Sequence, residues 1–165
     1  MANKQKSPAE PTVTFWGAAQ GVTGSMHQVD AGPPVVEQVR FGFSHEGLCV
    51  RVEGPEPMAE QLRGGHELTL AFLRPEGLRI TAKSSASDNG CYVNHESVRA
   101  AVATALELVV PLRVLGAGPG QLLSFAVVVN RRGPHGVAAV ERHPDRHPID
   151  VQVPGPDFDA AHWRA

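Results

Sequence analysis

Aromatic side chains are scarce in this chain: two tryptophans, one tyrosine and six phenylalanines make up 5% of its 165 residues. That is too few for a broad stacking platform. Cysteine is scarcer still, with two in the whole sequence, so a disulfide framework is excluded. Cys49 and Cys91 both fall in strand-like contexts and read as buried free thiols, with a bridge between them as the alternative. No apolar run approaches the ~18 residues of a membrane-spanning helix. Lys4 and Lys6 near the N-terminus are followed by no apolar segment, so no secretory signal is expected and the cytoplasm is the default location. The formal net charge of -2 leaves no basic footprint for nucleic acid.

Glycine and proline, by contrast, are abundant at 17 and 14 residues, which favours short strands and frequent turns over long helices. Residues 1–11 are polar and read as a tail, and 12–165 as one domain large enough to bury its own core. Thr12 to Trp16 reads as a short strand, and Gly17 to Ser25 as a loop. Val35 to Ser44 alternates apolar and polar residues, turns at His45-Glu46-Gly47 and continues through Leu48 to Glu53 as a hairpin. A polar connection with one helical turn, Met58 to Leu62, leads to a second hairpin, Glu67 to Leu73 with Leu78 to Lys83. Cys91 to Val93 is extended, and Val98 to Thr104 extended or briefly helical. Leu106 to Leu112 and Leu122 to Val129 flank the turn signal Gly118-Pro119-Gly120, and Ile149 to Val153 alternates until Pro154. About nine strands at this spacing predict an all-β, antiparallel β-sandwich of jelly-roll or immunoglobulin-like type.

From Trp16 onward the chain resembles the C-terminal β-sandwich module of glycoside hydrolase family 57 proteins, which act on α-glucans. The matching residues run in order: Trp16-Gly17-Ala18, Gly24-Ser25-Met26-His27, Val39 to Phe43, Leu48 to Val52 and Leu106 to Leu112. They continue with Leu115-Gly116, Pro119-Gly120, Glu141 to Pro144, Pro154, Asp157-Phe158 and Trp163. On the same grounds the fold is similar to family 9 carbohydrate-binding modules and DOMON-type sandwiches. The catalytic carboxylates of the glucan enzymes sit in a preceding barrel of several hundred residues, so the resemblance implies no catalysis here. A competing likeness, Thr14 to His27, is to the opening of β-CASP nucleases. Those enzymes need an HxHxDH run to hold two zinc ions, and the eight histidines of this chain are scattered.

Four constellations could carry chemistry. His143 and His147 flank Asp145 at helical spacing for a metal, but Pro144 and Pro148 break any helix, and a polar turn with Glu141 and Arg142 paired or bonded to backbone is simpler. Asp30, Glu37, Asp88 and Asn89 offer oxygen ligands for calcium, without EF-hand-like spacing, and Asp88-Asn89-Gly90 serves equally as a turn. Ser25 with His27 lacks an orienting carboxylate. No cofactor is expected. Trp16, Tyr92 and Trp163 are the aromatic candidates for stacking against a pyranose, and the two tryptophans fit equally as plugs at the ends of the core.

The expected function is therefore a non-catalytic module that binds carbohydrate, an α-glucan oligosaccharide. The rival is an interaction protein that self-associates or docks on a separately encoded enzyme, with Met26, Val35, Val137 and Val140 as candidate docking residues.

Overall fold

A computed structural model of the chain describes residues 33–86 and 90–155, together with the backbone of Gln20–Val22. In chain order the strands are β1 (Gln20–Val22), β2 (Gln38–Ser44), β3 (Gly47–Glu53), β4 (His66–Arg74), β5 (Arg79–Ser84), β6 (Cys91–Val93), β7 (Arg99–Val102), β8 (Ala105–Pro111), β9 (Leu122–Gly133), β10 (Gly136–His143) and β11 (Ile149–Gln152). Helix α1 (Met58–Arg63) joins β3 to β4, and α2 (Leu112–Leu115) joins β8 to β9. The strands form two antiparallel sheets: one ordered β1-β2-β3-β8-β7, the other β10-β9-β4-β5-β6 with β11 also on β9. The fold is an antiparallel β-sandwich, as the alternation predicts. Among the described residues no helix is long and apolar enough to cross a membrane.

Period-two alternation decides which side chains go inside. In the first sheet Val39, Phe41, Leu48, Val50, Leu106 and Leu108 are buried against Leu68, Leu70, Ile80, Leu123, Phe125 and Val127 of the second. Phe125 lies at the crossing point. Its ring meets Phe41 of the opposite sheet edge-on, centroids 5.9 Å apart, and Phe72 of its neighbour strand at 5.4 Å. The β2–β3 hairpin needs a glycine where it begins to return: at Gly47, φ 154°, a Cβ would lie 2.1 Å from the Val110 carbonyl oxygen.

Two of the changes of sheet, β3 to β4 and β8 to β9, run through helical turns. Met58 and Leu62, one turn apart on α1, are both buried. The first N–H groups of that helix would otherwise be orphaned; Met58 and Ala59 donate to Thr104 and Ala103 carbonyls at 3.1 and 3.0 Å. Helix α2 ends at Gly116 in the left-handed conformation, φ 59°. Alternation does not reveal α2, since its Leu-Arg-Val-Leu continues the apolar run of β8.

Two strands depart from the sequence reading: β1 falls within Gly17 to Ser25, which reads as a loop, and β10 changes the reading of the ERHPDRHP segment. Residues Gly136 to His143 pair with Gly133 back to Val127 of β9, and Ile149 to Gln152 then pair with Phe125 to Leu122. Thus β10 and β11 are one edge strand interrupted by residues 144–148, the polar turn. Glu141 is indeed bonded to backbone: its carboxylate accepts the N–H of Val35 at 2.6 Å and of Val36 at 3.2 Å. His143 Nε2 lies 3.1 Å from the same carboxylate, and both side chains are buried. Since Val35 and Val36 lead into β2, this carboxylate ties the edge of one sheet to the other.

Two consequences can be measured. Phe125→Ala removes the ring shared by both sheets and should cost about 3–5 kcal/mol in chemical unfolding; a loss under about 1 kcal/mol would show that the sheets do not depend on it. Glu141 carries a pH signature. Burial alone would push its carboxyl up, but the bonds from His143, Val35 and Val36 outweigh burial and hold it below its ordinary 4.5. The unfolded chain therefore binds the proton more readily, and the stabilisation is fully present above about pH 5 and lost as pH falls through the lowered folded value. Glu141→Gln should cost about 1–3 kcal/mol at neutral pH and flatten the acid limb of the stability curve. An unchanged acid limb counts against the clamp.

Candidate functional site

Of the three aromatic candidates, Tyr92 is the one that the described residues contain; Trp16 and Trp163 lie outside them, as do Ser25 and His27. Tyr92 is 53% exposed on β6. It lines an open cleft of about 610 Å³ at one end of the second sheet. The cleft draws Leu62 and Arg63 from α1, His66 and Glu67 from β4, Lys83 and Ser84 from β5, and Arg132 from β9.

Register puts these groups together. Inward Ala82 and Val93 pair across β5 and β6, so Lys83 and Tyr92, the next pair, face outward and directly oppose each other. The Lys83 ammonium lies over the tyrosine ring, 5.2 Å from its centroid, a cation–π contact. On the neighbouring strands Glu67 and Arg132 also face outward, and Arg132 Nη2 donates to Glu67 Oε1 at 2.6 Å. The Arg132 amide bonds the Gly65 carbonyl at 3.0 Å, which ties the end of β9 to the turn between α1 and β4. His66 Nδ1 is 3.2 Å from the Gln61 carbonyl oxygen. Arg63 Nε donates to the Ala59 carbonyl at 3.2 Å and the rest of its guanidinium is exposed. Beside the cleft, Thr69 and Thr81 hydroxyls bond each other at 2.9 Å, and the Asn130 amide donates to Thr69 at 3.1 Å. The floor of the sheet is thus polar, short and internally satisfied.

Chemically this arrangement can hold a ligand. It offers an aromatic face, three cationic donors, a serine hydroxyl and one carboxylate already engaged by Arg132. Arg63, Lys83, Glu67 and Arg132 carry no signal in the sequence; strand register brings positions 83 and 132, and the docking of α1 brings position 63, to one rim.

The remaining candidates separate. His143 is buried against Glu141 while His147 is exposed, so the two imidazoles do not share a site. Glu37 is exposed at the entry to β2, and Asp30, Asp88 and Asn89 lie outside the described residues. Among the described residues no three His, Cys, Asp or Glu side chains gather as a metal ion requires. Cys49 and Cys91 are not joined in a disulfide; Cys49 is buried and Cys91 only partly so. Burial pushes the Cys49 thiol up, which leaves it unreactive. Of the docking residues, Met26 lies outside the described residues. Val35 proves to be core and Val140 packs against the core, because both flank the Glu141 clamp. Val137 is 50% exposed.

Comparison with protein-family models, with curated proteins and with solved structures finds no match to this chain. The glycoside hydrolase family 57 likeness therefore stands on its quoted residues alone.

Proposed function

We propose that this chain is a non-catalytic β-sandwich module that binds carbohydrate, an α-glucan oligosaccharide, in the cleft beside Tyr92, as an accessory domain in the cytoplasm. The observation that carries the reading is the exposed Tyr92 ring at the rim of an open cleft surrounded by hydrogen-bonding side chains. Sugar sites need that combination: an apolar face for the ring hydrogens and polar groups to fix hydroxyls. Nothing in the cleft needs to move a proton for it to work. Calorimetric titration with maltotriose and with glycogen tests the idea, and saturable binding in the micromolar to millimolar range is the expected result. Tyr92→Ala should weaken it roughly tenfold, about 1.4 kcal/mol, with an unchanged unfolding midpoint because the ring is exposed. Absence of heat with both ligands, or binding indifferent to Tyr92, removes the cleft as a glucan site.

A second reading, self-association or docking on a separately encoded enzyme, is favoured by a different observation. Gly136 to Ala139 form an exposed edge of β10 with no charged residue, and an uncharged edge is a template for strand addition. Sedimentation across a concentration series should then reveal a dimer that Ala138→Lys abolishes. A monomer at every concentration removes self-association.

A further inference from the structure

The rim of the Tyr92 cleft is unbalanced in charge and in hydrogen-bonding type. Arg63, Lys83 and Arg132 are cationic and can only donate. Glu67 is the one carboxylate there among the described residues, and Arg132 holds it at 2.6 Å. That pair cancels. Arg63 and Lys83 have no carboxylate within ion-pair distance among the described residues. A neutral glucan presents hydroxyls that both donate and accept, and it is matched best by amides, which do both, together with carboxylates, which accept. This rim has donors in excess. The Tyr92 ring adds to the asymmetry: one of its faces carries the Lys83 ammonium at 5.2 Å, so the ring presents a positive charge as much as a stacking surface. Three separate elements, α1, β5 and β9, supply the cations, and backbone bonds fix two of those elements relative to each other through Gly65 and Arg132.

We propose that the saccharide held in this cleft bears a phosphate ester, seated between Arg63 and Lys83, with Tyr92 positioning the lysine; this rests on the carbohydrate reading above. The charges match. A phosphate monoester carries about -1.5 to -2 at neutral pH and three acceptor oxygens, against two cations with no carboxylate partner among the described residues and a rim of donors. A carboxylate-bearing sugar would satisfy one cation and leave the other.

The test is calorimetric titration of the full chain with glucose, glucose 6-phosphate and inorganic phosphate at matched ionic strength. Glucose 6-phosphate should bind at least roughly tenfold more tightly than either of the others, and Lys83→Met and Arg63→Met should each weaken it roughly tenfold without changing the unfolding midpoint. Added salt should weaken the phosphate ester and leave glucose unaffected. Glucose binding as tightly as its phosphate, with Lys83→Met neutral, overturns the phosphate assignment and leaves the carbohydrate reading standing. Inorganic phosphate binding as tightly as glucose 6-phosphate overturns the sugar, and with it the reading on which the assignment rests. No heat from any of the three overturns both.

Discussion

The apolar seam between the sheets, centred on Phe125 against Phe41 and Phe72, fixes the direction of the side chains in every strand that borders it. In a sheet with one buried face a shift of register by one residue would turn the whole apolar set outward, so the interior holds the register against slippage. The outer surface is then determined as the complement of the interior. Because Ile80 and Ala82 are inside, Thr81 and Lys83 are outside; because Val93 packs inward, Tyr92 faces out; because Leu68 is inside, Glu67 is not. The candidate site is thus a product of core packing, although none of its charged groups lies in the core.

A seam of this kind must also be closed along its sides, and here the two sheets behave differently. On the outer face of the first sheet Arg51 bridges Glu53 and Glu107 across β3 and β8, and this cross-strand pairing sustains the charge of Glu107, which is only 5% exposed. The second sheet ends in β10 and β11, both hung on β9. The bulge between Ala139 and Glu141 lets the strand turn Glu141 and His143 inward while Arg142 stays outward beside Val128. A buried carboxylate at such an edge would be costly alone. It is sustained because Val35 and Val36, arriving from the other sheet, have N–H groups that need acceptors at that depth. Two requirements that would each be penalties cancel, and the edge is closed without further apolar residues.

Much of this was legible in the sequence, and the exceptions have a common cause. The β2–β3 and β4–β5 hairpins, β8, β9, β11 and the turn at α1 follow from alternation and turn chemistry. Strand β10 does not, since Gly-Val-Ala-Ala-Val lacks alternation and the bulge breaks the period before Glu141. The bonding of Glu141 to backbone could be expected from its place beside Pro144, but its partners, about a hundred residues away, could not. The same limit applies to the cleft. Tyr92 stood out as a lone tyrosine in a short extended run, whereas Arg63, Lys83 and Arg132 carry no local signal at all. Their meeting is a statement about which strands are neighbours, in what register, and where α1 docks, and no window of sequence contains it.

The division between a satisfied floor and a reaching rim separates what stabilises the sheet from what the proposed binding would use. Thr69, Thr81 and Asn130 bond among themselves, and Thr69 is almost wholly buried, so these residues belong to the sheet and not to a ligand. Arginine, lysine and tyrosine at the rim are long, half or more exposed in the case of Tyr92 and Arg132, and rooted in strands whose opposite face is core. Their apolar stems can follow the sheet while their heads meet solvent. A rim built this way can change its ligand by substituting outward residues, because each outward position is flanked by inward ones that hold the register unaided. The scarcity of aromatic residues then has a consequence: with a single tyrosine beside the cleft and a lysine on its face, the proposed recognition would depend on charge and on donor placement more than on stacking.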